Sequence, residues 1–251
     1  MLTDSERERY SRQILLFGEE GQERLKSSKV FIAGAGGLGC PAAAYLAAAG
    51  VGHLVIADCD SVDRTNLNRQ ILHYEPDIGR PKVVSAREKL LSMNPDIRVE
   101  PLAVTISDNN ASTLVSGCDL VVDALDTFTD RYALNRAAIR NRIPYIHGAV
   151  SGFDGHMATI IPGETACLEC MVPEAPPRSV FPVVGTTPGL IGVLQAHEAI
   201  KQITGQGEPL TNQLVLWDGK ASQFTMIRVE RDPDCPACGG DSRASGRRRE
   251  I

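Results

Sequence analysis

The sequence predicts an α/β protein with a Rossmann-like three-layer fold around one mixed sheet, parallel in its N-terminal part and antiparallel in its C-terminal part. Three observations predict it. The apolar strand Lys29-Val-Phe-Ile-Ala33 runs into Gly34-Ala-Gly-Gly-Leu-Gly39, then a helix of small residues and a second strand reaching Asp58. As far as Gly148, apolar runs alternate with helical stretches, as parallel strands with right-handed crossovers require. Past Gly148 the pattern turns to strict alternation and a hairpin, which antiparallel strands produce.

Thr3 to Leu25 reads as helical, with an Ile14-Leu-Leu-Phe17 patch; Gly18 and Gly21 interrupt it, so two short helices are expected. Strand Val30–Ala33, helix Leu38–Ala49 and strand His53–Ala57 make one βαβ unit. Pro81–Leu91 is an amphipathic helix stopped by Asn94-Pro95. A strand over Arg98–Val104 and a helix over Asn110–Val115 lead to the buried-type strand Asp119-Leu-Val-Val-Asp123, helix Thr129–Asn141 and strand Tyr145–Gly148. Gly152–Ile161 alternates as a strand, and Glu164–Pro182 is a Pro-rich loop. Gly189–Gly205 is a one-sided helix, and Gln213–Trp217 pairs with Gln223–Val229 around Asp218-Gly219-Lys220.

A chain of 251 residues has room for one such unit, read as a single domain over 1–240, with a Ser/Gly/Arg tail over 241–251 expected to be disordered. The net charge of −5, with no basic block interleaved with aromatics, argues against nucleic acid as a partner. No apolar segment is long enough to span a bilayer, and Met1–Arg12 is too charged for a signal peptide. A cytoplasmic, reducing compartment is therefore expected, in which the seven cysteines serve as thiols or metal ligands.

The glycines carry the first chemistry. Gly34 permits the turn after the strand, Gly36 lets phosphate approach the backbone, and Gly39 lets helix and sheet pack closely. Helix-start amides then face an anion. Asp58, 19 residues after Gly39, is placed to accept hydrogen bonds from both ribose hydroxyls. A glycine-rich turn without ligand is the plain alternative, and the loop alone does not separate NAD from ATP. Arg69, within Asn66-Leu-Asn-Arg-Gln70, and Lys82 lie outside the minimal dinucleotide pattern, and a triphosphate needs such extra cations. Asp126 follows a strand's carboxyl end, where a carboxylate could hold Mg²⁺ with the phosphates. Solvated surface charge for Arg69 and Lys82, and a helix cap for Asp126, are the competing readings. Together these residues lean toward ATP.

Cys167-Leu-Glu-Cys170 and Cys235-Pro-Ala-Cys238 are two C-x₂-C knuckles, a donor set suited to tetrahedral, structural Zn²⁺; redox pairs or incidental thiols are the alternative. Cys40, Cys59 and Cys118 lie in apolar runs and read as small core residues.

The series Arg9-Tyr-Ser-Arg12-Gln13, Gly34–Gly39, Asp58-Cys-Asp60, Asn66–Gln70, Gly79-Arg-Pro-Lys82 and Asp123-Ala-Leu-Asp126 resembles the MoeB/ThiF/HesA family, relatives of ubiquitin-activating enzymes, from about Leu2 to Cys238. The resemblance implies ATP-dependent adenylation of the C-terminal glycine of a ubiquitin-like sulfur carrier ending in Gly-Gly, for molybdopterin, thiamine or tRNA thiolation, with release of pyrophosphate. It implies a nucleotide site of Gly34, Gly36, Gly37, Gly39, Asp58, Asp60, Asn66, Arg69, Gln70, Lys82 and Asp126. Asp58 holds the ribose, Asn66, Arg69, Gln70 and Lys82 the phosphates, and Asp126 the Mg²⁺. Arg12 reaches the γ-phosphate from the other subunit of a homodimer, and zinc at Cys167, Cys170, Cys235 and Cys238 agrees with the family. ThiF-like members carry a reactive cysteine in the loop before the Gly189–Gly205 helix. Here Arg178-Ser-Val-Phe-Pro-Val-Val-Gly185 has none, so the reaction is expected to stop at the acyl adenylate, and no rhodanese-like extension is expected. The carrier's surface is expected on Gly152–Ile161 and the hairpin over Gln213–Val229. The Pro173–Pro182 loop either crosses over the tail or is a plain connector. Adenylation of a small carboxylic acid, and nucleotide binding without adenylation, are the alternatives.

Overall fold

The structure, a computed structural model, describes residues 1–175 and 182–239. The expected tail and most of the Pro173–Pro182 loop lie outside the described residues.

Helix α1 (Asp4–Arg9) opens on a reciprocal cap in which Thr3 Oγ1 accepts from the Glu6 amide while Glu6 Oε2 accepts from the Thr3 amide. A first break falls at Tyr10, before α2 (Ser11–Ser27), and Gly18, whose φ 72° and ψ 172° are not helical, divides α2 itself into two helical stretches as expected; Gly21 does not interrupt it. Gly21 lies within the helix, where a Cβ would come within 2.7 Å of the Phe17 ring, so its contribution is packing.

The core unit follows: β1 (Lys29–Ala33), α3 (Gly39–Ala49) and β2 (His53–Ala57), with Lys29 opposite His53 and Ala33 opposite Ala57 in parallel register. Gly50, left-handed at φ 85°, ends α3. Helix α4 (Lys82–Met93) starts behind Pro81, β3 (Arg98–Leu102) pairs with β2, and short α5 (Ala111–Leu114) precedes β4 (Leu120–Asp123). Helix α6 (Phe128–Asn141) leads to β5 (Tyr145–Ser151), which turns into β6 (Asp154–Ile160). A short helix α7 (Leu168–Met171) sits where only loop was expected. After it come α8 (Thr186–Thr204), β7 (Gln213–Asp218) and β8 (Gln223–Arg228).

All eight strands form one sheet, ordered β3-β2-β1-β4-β5-β6-β7-β8. It is parallel through β5 and antiparallel from there, as expected. Pleating sorts the side chains into two cores. Val30, Ile32, Leu54 and Ile56 face α3 and α8 on one side. Phe31, Val55, Val121 and Tyr145 face α6 and the cysteine pairs on the other. Each such side chain contributes about 1.5–3 kcal/mol on burial. The strand order reverses between β1 and β4, which opens a crevice at the carboxyl ends of the parallel strands.

Candidate active site

A cavity of about 480 Å³ fills that crevice, walled by the β1–α3 loop, the end of β2, the Arg69–Gln70 turn, Lys82 and the segment after β4. The loop's shape follows from its glycines. Gly34 sits at φ 102°, and a Cβ on it would lie 2.6 Å from the Ala124 carbonyl oxygen. A Cβ on Gly39 would lie 1.9 Å from the Gly34 carbonyl oxygen, so only glycine lets α3 start against the loop. Among the described residues the only neighbour within reach of a Cβ at Gly36 is Gln70 Nε2 at 3.7 Å, which leaves this edge of the loop open to a ligand. No side chain caps α3; the Cys40 amide donates to the Gly36 carbonyl oxygen and Pro41 has no N–H, so among the described residues the Gly39 amide is the one in the first turn left to face an anion.

Asp58 buttresses the loop: its Oδ2 accepts from the Ala35 amide and its Oδ1 from the Asp60 amide, both at 2.8 Å. Lys82, 5% exposed, places Nζ 2.7 Å from Asp60 Oδ2, so it is not a solvated surface charge. Arg69 lines the cavity, its Nη1 donating to the Thr65 carbonyl oxygen (2.8 Å) and Asn68 Oδ1 (2.9 Å). Buried Gln70 lines it too, and its Oε1 has no partner among the described residues. Asp126 is exposed on the cavity wall and makes no hydrogen bond or ion pair among the described residues. The cap of α6 is Thr127, whose Oγ1 accepts from the Asp130 amide, so Asp126 is not spent as a cap. A free carboxylate facing a nucleotide-sized cavity is the hard oxygen donor that Mg²⁺ takes.

Two expected residues do not line this chain's own cavity. Asn66 Oδ1 accepts from the Asp63 amide and closes the turn before Arg69. Arg12, expected to act from the other subunit of a homodimer, is exposed on α2. Cys40 and Cys118 are buried as expected, but Cys59 is exposed beyond the end of β2 and lines the cavity. The apolar run that suggested burial stops at Ala57.

Three groups carry no sequence motif. His73 is buried with Nε2 2.9 Å from the Ala35 carbonyl oxygen and Nδ1 2.9 Å from Ser85 Oγ. Burial lowers its pKa, so a neutral ring donates from Nε2 to the loop and accepts at Nδ1. Asp130 lines the cavity, its Oδ2 accepting from Thr127 Oγ1 at 2.6 Å. Arg131 reaches beneath it to the fully buried Asp123, at 3.3 Å. Burial opposes the Asp123 charge, but Arg131, His147 and Tyr145 together hold its pKa below the usual value. Asp126, Thr127, Asp130, Arg131 and Val150 also line a second cavity, of about 1020 Å³, that runs over β6 and β7 past Phe128, His156 and Trp217.

In the core beneath α6 the four knuckle cysteines converge, with Sγ–Sγ distances of 3.8 Å (Cys167–Cys170), 3.6 Å (Cys167–Cys235) and 3.4 Å (Cys170–Cys238). A tetrahedral ion with thiolate bonds of ~2.3 Å needs sulfurs about 3.8 Å apart. The donor set fits one, with Cys167, Cys235 and Cys238 buried and Cys170 partly so.

The fold and this site define a nucleotide-using enzyme of the adenylyltransferase class. The chain belongs to the ThiF family, whose model matches residues 10–237. It is 43% identical over 240 residues to the SAMP-activating enzyme E1 of Haloferax volcanii, covering 92% of this chain and 88% of that one. It is 41% identical over 252 residues to the sulfur carrier protein adenylyltransferase of Thermus thermophilus, covering 95% and 93%. Among solved structures it resembles E. coli MccB with AMPCPP and MccA, at a TM-score of 0.86, 27% identity and coverage of 95% of this chain and 75% of that one.

Proposed function

We propose that this chain adenylates the C-terminal carboxylate of a small ubiquitin-like sulfur-carrier protein ending in Gly-Gly. One observation supports the reading: the nucleotide cavity shares Asp126, Thr127, Asp130, Arg131 and Val150 with a second and larger cavity laid over the antiparallel strands. A nicotinamide or a small acid leaves that space unused, whereas an extended tail fills it with its carboxylate at the junction. The names of the Haloferax and Thermus relatives point the same way.

A carboxylate oxygen attacks the α-phosphorus of ATP, and the bond to the pyrophosphate oxygen breaks. The nucleophile is already ionised at neutral pH, so positioning and charge neutralisation replace a general base. Asp58 takes the ribose hydroxyls, the open loop at Gly36 and the Gly39 amide take phosphate, and Lys82, Arg69 and Gln70 follow the charge to the leaving group. Asp126 would hold Mg²⁺, which neutralises phosphate oxygens when bound. Arg12 completes the site from the partner in a homodimer; Leu15 and Leu16 beside it, 83% and 77% exposed, are apolar surface suited to burial there. Cys167, Cys170, Cys235 and Cys238 would hold Zn²⁺, which would tie the chain after β8 to α7. The whole forms one domain acting in the cytoplasm, serving molybdopterin, thiamine or tRNA thiolation.

The test is exchange of labelled pyrophosphate into ATP. Exchange is expected only with a carrier ending in Gly-Gly and not with the carrier shortened by its last glycine. Exchange supported by small acids or short peptides, but by no carrier, would replace this reading with the second one, a carrier-independent carboxylate adenylyltransferase. The E. coli MccB structure, solved with MccA, keeps that reading in view.

A further inference from the structure

We propose that the buried Asp123–Arg131 pair is a positioning device for Asp126, clamping the residue before it so that the free carboxylate is held at the junction of the two cavities. This rests on the reading of Asp126 as the carboxylate that holds a divalent cation with ATP.

Both polar groups of the Leu125 backbone are taken by this pair. Its amide donates to Asp123 Oδ1 at 3.1 Å, and its carbonyl oxygen accepts from Arg131 Nη2. On the other side of Asp126, the Thr127 carbonyl oxygen accepts from the Arg131 amide at 3.2 Å, and Thr127 Oγ1 caps α6. Asp126 therefore stands between two fixed residues while its own side chain is unpartnered among the described residues. The pair is itself anchored to the neighbouring strand. Arg131 Nη1 donates to the Gly148 carbonyl oxygen at 2.8 Å. Asp123 Oδ2 accepts from Tyr145 Oη at 2.8 Å and from His147 Nδ1 at 2.7 Å.

Stability alone does not account for such a pair. Asp123 is 0% and Arg131 3% exposed, and charges so buried cost as much in desolvation as they return, so apolar residues would fill the space as well. What apolar residues cannot do is bind an amide and a carbonyl of one turn at once. Arg131 also lines both cavities, so any slack in the clamp displaces the wall that ATP and tail share.

The test titrates Mn²⁺ into the full chain with an α,β-methylene analogue of ATP and reads free Mn²⁺ by electron paramagnetic resonance. Lysine keeps the charge of Arg131 but cannot serve Asp123, Gly148 and Leu125 together, so Arg131→Lys should raise the metal half-saturation about tenfold. In an Asp126→Asn background the same substitution should add less than about twofold, since its effect runs through Asp126. Tyr145→Phe, which removes one hydroxyl from Asp123, is a milder variant that keeps the test open if Arg131→Lys does not fold. It should raise half-saturation about two- to threefold. Unchanged metal binding in the folded clamp variants, with Asp126→Asn impaired, overturns the proposal and leaves the site reading intact. Unchanged binding in Asp126→Asn itself overturns the reading of Asp126.

Discussion

Lys82 and Asp60 form an ion pair across the mouth of the nucleotide cavity, Nζ to Oδ2 at 2.7 Å, with the lysine side chain 7% and the aspartate 63% exposed. The buried partner is the cation, and its one strong acceptor is a solvated carboxylate that gives little back. Incoming phosphate offers Lys82 a better partner without moving it from its seat at the start of α4. Lys82→Ala is expected to lower pyrophosphate exchange at least ~100-fold, about 2.7 kcal/mol of transition-state stabilisation, while the variant still unfolds cooperatively. Asp60→Asn should cost less than about tenfold. Equal losses in both would mean that the pair, rather than the lysine, does the binding.

Two glycines of one loop should fail differently. Gly39→Ala forces a Cβ to within 1.9 Å of the Gly34 carbonyl oxygen, so loop and helix must separate. A loss of about 2 kcal/mol or more in denaturant unfolding is expected from such overpacking. Gly36→Ala meets only Gln70 at 3.7 Å, so stability should stay within about 0.5 kcal/mol while ATP affinity falls about tenfold or more. If Gly36→Ala bound ATP normally, phosphate would not pass over that edge of the loop.

The contrast shows what a sequence can disclose. Gly34, Gly39 and Asp58 were legible because strand, turn, helix and strand are consecutive, so spacing along the chain fixes their spacing in space. Lys82 and Asp126 were legible as charges at element ends, but only the packing of α4 and the cap at Thr127 separated them from a surface lysine and a helix cap. Cys59 was misread as a core residue because it lies past the last buried residue of β2, where the apolar run has already ended. The cluster of Asp123, Arg131, Tyr145 and His147 was invisible. It depends on β4 pairing with β5 so that Asp123 lies opposite His147, a register that no local motif encodes.

The cysteine cluster predicts one zinc per chain by elemental analysis of protein purified without added metal. Cys167 belongs to the core beneath α6 and Cys235 follows β8, so the ion would join segments far apart in sequence. Cys235→Ser should lower the zinc content to below about half and destabilise the chain by several kcal/mol, since an all-thiolate site contributes folding energy directly. Exchange activity of whatever remains folded should change little, because the cysteines are absent from both cavity walls. A metal-free protein of unchanged stability would remove zinc from the account.

His156 should make the protein acid-sensitive. Burial, with His147 and Arg131 nearby and only Asp123 opposing, pushes its pKa down from 6.5 to about 3. Its ring stands 5.2 Å from that of His147, whose pKa is also lowered, first by burial. The sign follows from proton uptake: below pH ~6.5 the unfolded chain binds a proton at this position that the folded chain refuses until about pH 3. Stability is therefore fully present above pH ~6.5 and falls with acidification by about 1.4 kcal/mol per pH unit for this one group. His156→Leu should flatten the unfolding free energy between pH 6 and pH 4 (roughly the ends of the usable window) by about that slope, measured by urea denaturation at fixed ionic strength. His147 remains in the variant and keeps its own share of the acid sensitivity. An unchanged slope would mean that His156 is protonated in the folded protein, facing the second cavity as a cation.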